Sequence, residues 1–115
     1  MPPPAPVNRR ACVLAILALM PATAMAQEGE SFAIGKEVFL ERSVPQCAIC
    51  HSLADADATG EIGPNLDELR PSEEQVRTAV TQGVDVMPSY GDLLTEEEIA
   101  AVAHYVATSA GKSGK

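Results

Sequence analysis

Cys47-Ala48-Ile49-Cys50-His51 is the stretch that decides how this 115-residue chain is read. Two thiols three positions apart, followed at once by a histidine, form the C-x-x-C-H pattern of covalent haem attachment. The spacing has a mechanical reason. Residues three apart on a helical turn share nearly one face, so both sulfurs can reach the two vinyl groups of one porphyrin. The next residue then offers its imidazole to the iron as the proximal ligand. A redox-active thiol pair has no need of the histidine and wants a strand–helix context. A zinc site needs four ligands, and no second Cys/His pair closes the tetrahedron.

The segment before this motif bears on compartment. Met1 to Asn8 is proline-rich, Arg9-Arg10 adds positive charge, and Ala11 to Met20 is an apolar run too short to span a bilayer. Ala24-Met25-Ala26 is a small-x-small site before Gln27. That order predicts a secretory signal peptide over 1–26 and a mature domain over 27–115, exported to the periplasm with no membrane anchor after cleavage. Cys12 leaves with the leader, and so do Met1, Met20 and Met25. The chemistry-bearing residues that stay are Cys47, Cys50, His51, Met87 and His104.

The chain has 8 basic and 16 acidic side chains; the leader removes two arginines, so the mature part carries a net charge of −10. Such a surface argues against nucleic acid and anionic membranes as partners. It suits a protein that docks on a basic patch. Two phenylalanines, two tyrosines and no tryptophan are few aromatics for a core of this size. A covalently held porphyrin would supply the missing apolar body.

Hydrophobic spacing predicts an all-α domain of four short helices. The first, Ser31 to Arg42, carries Phe32, Gly35 and Phe39 on one stripe. A glycine on that stripe points to close approach of another backbone. The second is the attachment segment, Gln46 to Ser52. A long loop follows from Leu53 to Pro71, and loops of that length in small domains usually carry function. The third helix, Ser72 to Gln82, opens on a Ser72/Gln75 capping box and stops at Gly83. The fourth, Thr95 to Ser109, opens on Thr95/Glu98 and repeats Ile99, Val102, Ala103 and Val106. Strand alternation is absent, and a disordered tail is expected from Gly111 to Lys115.

The second axial position of the iron has two candidate side chains. At ~100° per residue, His104 falls on the face opposite the Ile99/Val102/Val106 stripe and reads as solvent-exposed. Met87 lies in a loop between the Gly83 stop and the Thr95 start, and Pro88 biases it toward an extended backbone. Met87 is therefore the expected distal ligand and His51 the proximal one. His/Met ligation raises the reduction potential and closes both coordination positions.

These residues together resemble the class I cytochrome c family, small single-haem electron carriers, over nearly all of Ser31 to Ser109. Gly35 and Phe39 match the family's first helix, and Tyr105 matches the aromatic of its last helix, where the two would cross. Gly63-Pro64-Asn65-Leu66 is similar to the family's G-P-x-L loop. The resemblance implies one haem c bound through Cys47 and Cys50, with the Pro64 carbonyl accepting a hydrogen bond from His51 Nδ1. The wording from Pro45 to His51, from Gly60 to Leu69 and from Met87 to Tyr90 also resembles the cytochrome subunits of periplasmic sulfite dehydrogenases. That implies a molybdenum enzyme as electron donor. The lysine ring of mitochondrial-type relatives is missing here. The expected function is electron transfer without substrate chemistry. The alternative is a haem c enzyme or gas sensor with a labile distal ligand, and a third reading is a haem-free thiol oxidoreductase.

Overall fold

The computed structural model describes residues 1–6 and 23–112. The arginine pair and apolar run of the expected leader, within 7–22, lie outside the described residues. Helix α1 spans Thr23–Glu37 and continues through a wider π-helical turn, Val38–Arg42. It starts eight residues before the expected Ser31 and crosses the expected processing point. Ala, Met, Gln and Glu there are strong helix formers, so propagation needs no new cap. The wide turn has a local cause. Ser43 sends both its N–H (3.1 Å) and its hydroxyl (2.8 Å) to the Val38 carbonyl, five residues back.

Helix α2 is the short turn Cys47–Cys50. The expected structureless loop is more ordered than its composition predicts. It contains a two-stranded antiparallel sheet, β1 (Ser52–Leu53) and β2 (Ala58–Thr59), with Ser52 opposite Thr59 and Leu53 opposite Ala58. A 3-10 turn, Ala54–Ala56, joins them, and Asp57 closes the hairpin at φ 50°. Strands two residues long have no period to read. Helix α3 (Leu66–Leu69) follows, with the Asn65 side chain accepting from the Asp67 N–H. Helices α4 (Glu73–Gln82) and α5 (Glu96–Ser109) both begin with complete capping boxes, Ser72/Gln75 and Thr95/Glu98.

The core lies between α1 and α5, with α4 packed on α5. Gly35 sits at the crossing. A Cβ there would strike the Ala101 carbonyl oxygen and come within 2.5 Å of Tyr105 Cβ. The rings of Phe32 and Phe39 meet Tyr105 edge-on, with centroids 4.9 and 6.0 Å away. Tyr105 is fully buried, and its hydroxyl donates to Asp55 Oδ2 at 2.6 Å. Lys36 Nζ reaches the Asp55 carbonyl at 2.9 Å. The β1–β2 turn is thus tied to the helix crossing, which orients everything that follows His51. Beyond α5, Gly111 is not free: its N–H donates to Asp67 Oδ1 at 2.7 Å.

Candidate haem site

The attachment helix is held at its start. Ser43 is 1% exposed. Its hydroxyl proton goes to Val38, so its lone pairs accept from the Cys47 N–H (3.3 Å) and face Cys47 Sγ (3.4 Å). Burial pushes the Cys47 thiol up, and the Ser43 contact opposes this only in part. A nucleophilic thiol needs the opposite shift. Cys47 is therefore not activated as a thiolate. Cys47 and Cys50 are half-buried and not joined to each other by a disulfide.

His51 follows the helix with an extended backbone, φ −113° and ψ 140°. Its Nδ1 lies 2.7 Å from the Pro64 carbonyl oxygen. A carbonyl only accepts, so Nδ1 carries the proton and, in the neutral ring, Nε2 keeps a lone pair. The ring is pressed on one face by Gly63: a Cβ at 63 would sit 2.6 Å from Cε1 and 2.9 Å from Nδ1. The Gly63 N–H donates to the Cys50 carbonyl at 2.7 Å, fixing that approach. Gly60 is equally close to the backbone of Ile49 and His51, and Ser52 Oγ donates to the Gly60 carbonyl at 2.8 Å.

Met87 comes from the other side of the chain. It closes a tight turn with Val84, exchanging hydrogen bonds of 2.8 and 3.1 Å. Asp85 at φ 50° makes the bend, and Gly83 at φ 76° admits it. A Cβ at 83 would lie 2.8 Å from the Met87 carbonyl oxygen. Met87 is half-buried against the core rather than spread on the surface.

His104 is apart from these residues. It is half-buried, with 27% of its side chain exposed, and not solvent-exposed as the helical wheel predicts. Its Nδ1 lies 3.8 Å from Glu73 Oε2 because α4 packs across that face of α5. Among the described residues no cluster of His, Cys, Asp or Glu could hold a bare metal ion. No helix among them is long and apolar enough to cross a membrane.

The donor set fits a haem: two thiols on one turn, an imidazole with its tautomer fixed, and a thioether on a separate stiff loop. The comparisons point to a haem protein as well. The family described as "Cytochrome C oxidase, cbb3-type, subunit III" matches residues 30–106. The chain belongs to the c-type cytochromes of this family. Cytochrome c6 of Microcystis aeruginosa is 36% identical over 70 residues, which cover 57% of this chain and 86% of the relative. Cytochrome c6 of Diacronema lutheri is 32% identical over 82 residues, 67% of this chain and 94% of the relative. The crystal structure of the c-type cytochrome SorU from Sinorhizobium meliloti is 62% identical. It aligns with a TM-score of 0.71 over 73% of this chain and 95% of its own.

This c-type cytochrome is a small class I electron-transfer protein, mostly helical, with one haem c attached through Cys47 and Cys50. It is an electron carrier rather than an enzyme.

Sequence reasoning missed Ser43 and Tyr90. Ser43 is one serine among several and announces its role only through the contacts at Val38 and Cys47. Tyr90 donates its hydroxyl to the Pro45 carbonyl at 2.6 Å, a pairing 45 residues apart with no local signal.

Proposed function

We propose that this cytochrome is a periplasmic single-electron carrier whose iron is held between His51 and Met87. The reading rests on one contact, His51 Nδ1 to the Pro64 carbonyl, which leaves Nε2 as the only ring nitrogen able to ligate. When bound, the haem supplies a one-electron ferric/ferrous couple. The chain's own residues do the remaining work. Cys47 and Cys50 anchor, Pro64 and Gly63 set the imidazole plane, and the Val84–Met87 turn delivers the thioether. Held by the His51 imidazole and the Met87 thioether, the iron would favour the ferrous state and have a raised potential. With His51 and Met87 both bound, the iron would offer oxygen and peroxide no open coordination site.

Export follows from the leader-like start, and cleavage after Ala26 would release the domain 27–115. The partner would carry a basic patch, given the net charge of −10 after cleavage. Exposed apolar side chains lie beside the site on both sides: Ile49 and Ile62 by the attachment helix, Val84 and Val86 by the Met87 turn. They suit a docking face with a dry centre and an acidic surround. We assign the donor to the class of molybdenum sulfite dehydrogenases, on the resemblance of Pro45–His51 and Met87–Tyr90.

Stopped-flow reduction of the matured protein by a sulfite-reduced dehydrogenase tests this directly. The expected result is fast reduction whose rate falls steeply with added salt. Reduction no faster than by sulfite alone would refute the partner assignment. Rapid carbon monoxide binding by the untreated ferrous protein would replace the carrier reading with a sensor.

A further inference from the structure

The two halves of the site come from distant parts of the chain. Segment 43–51 brings the cysteines and the imidazole, and segment 83–94 brings Met87. Among the described residues one hydrogen bond joins these segments: Tyr90 Oη to the Pro45 carbonyl, 2.6 Å. Pro45 precedes Cys47 by two residues, and Tyr90 follows Met87 by three.

The tyrosine is built in rather than draped across. It is 4% exposed. Its own N–H donates to the Val80 carbonyl at 2.8 Å, and its carbonyl accepts from Leu93 and Leu94. Ser89 Oγ donates to the Thr81 carbonyl at 2.6 Å, pinning the intervening chain to the end of α4. Pro88 stiffens the step back to Met87. A displacement of the phenol is therefore passed to the Met87 turn with little slack. At the other end, Ser43 and the start of α2 hold Pro45 between fixed points.

We propose that Tyr90 is a positioning residue for the distal ligand. Its hydrogen bond to Pro45 sets the separation between the methionine turn and the attachment helix, and so keeps the Met87 thioether on the iron. The inference rests on the His51/Met87 ligation proposed above. It adds that a single hydroxyl, touching neither ligand, decides how readily the thioether lets go.

The test uses matured holoprotein and exogenous imidazole, which binds ferric iron only when Met87 leaves. Tyr90→Phe keeps the ring and removes the hydroxyl. The expected result is a rise of about fivefold in imidazole affinity, what one net hydrogen bond is worth, and a lower reduction potential. Tyr105→Phe is the control. It removes an equally buried hydroxyl with an equally short bond to Asp55, far from the turn. It should lower unfolding stability while leaving imidazole affinity unchanged. If Tyr90→Phe lowers only unfolding stability, as the control does, Tyr90 is merely structural and the inference falls. Met87→Ala separates the two levels. If that variant keeps the methionine-to-ferric-iron band, the ligation itself is wrong and both readings fall together. Amide exchange on the unmodified holoprotein gives an answer without substitution. The Met87 and Tyr90 amides should open as one unit with those of the attachment segment, and independent opening would overturn the link.

Discussion

Gly63 lies against the flat face of the His51 imidazole, where a Cβ would come within 2.6 Å of Cε1. The ring has no room to tilt toward residue 63, and the Pro64 carbonyl stops it rotating about its own plane. Gly63→Ala should therefore leave the haem attached but shift the imidazole off its axis. The expected result is a holoprotein of normal mass with a displaced reduction potential and altered ligand-field bands. A Gly63→Ala variant with the native potential would show that the ring has freedom this packing denies.

The helix crossing makes a separate prediction about stability. Gly35→Ala places a methyl against the backbone of Ala101, which cannot swing aside as a side chain would. Overpacking of that kind costs on the order of 3 kcal/mol. Denaturant unfolding of the matured protein should show the loss, while the absorption spectrum of the remaining folded fraction stays native. A neutral substitution would mean that α1 and α5 separate more easily than their contact implies.

The core and the second helix pair were legible because their signals are local. Both capping boxes, the Ile99/Val102/Val106 stripe and the Gly63-Pro64 step each lie within a few residues and carry their own chemistry. The attachment motif is equally compact. The hairpin at Ser52–Thr59 was not legible, since two-residue strands depend on Asp57 adopting a positive φ and on Asp55 finding Tyr105 fifty residues away. The same holds for Tyr90 and Pro45. Long-range hydrogen bonds between unremarkable residues leave no period and no motif. His104 shows the complementary failure: a wheel drawn on one helix cannot know that Glu73 on another covers its outer face.

Alkaline pH gives a third test. Burial pushes the Tyr90 phenol up. Burial and the hydrogen bond to Asp55 push Tyr105 up as well. A raised pKa means the fold binds the phenolic proton more tightly than the unfolded chain. The stabilisation is complete below the ordinary tyrosine value of about 10 and is lost as pH rises above it. For Tyr90 the loss begins above about 10, as the unfolded chain ionises first. The chain has two tyrosines and no tryptophan, so these are the only side chains that contribute phenolate absorbance, and subtraction of a variant spectrum removes the haem background. Difference spectra against Tyr90→Phe should show no phenolate for Tyr90 until well past pH 10, together with loss of stability. Ordinary titration near 10 in the folded protein would contradict the buried, hydrogen-bonded phenol.

The acid side has the opposite sign. The Glu98 carboxylate is lowered, first by the Thr95 N–H of its capping box and also by Arg42. A lowered pKa contributes stability above the unfolded value of about 4.5 that is lost as pH falls through the folded one. Glu98→Gln keeps a hydrogen-bond acceptor but no charge. It should flatten the stability profile below about pH 4.5 relative to native protein, and an unchanged acid limb would remove the box from the account.

The ligation at the centre of this account is tested most directly by one spectrum. Ferric protein from a host able to mature c-type cytochromes should be low-spin and show the methionine-to-iron charge-transfer band. Met87→Ala should abolish that band while leaving the covalent haem mass on the chain. Native protein that lacks the band, or a Met87→Ala variant that retains it, would contradict the pairing of His51 with Met87.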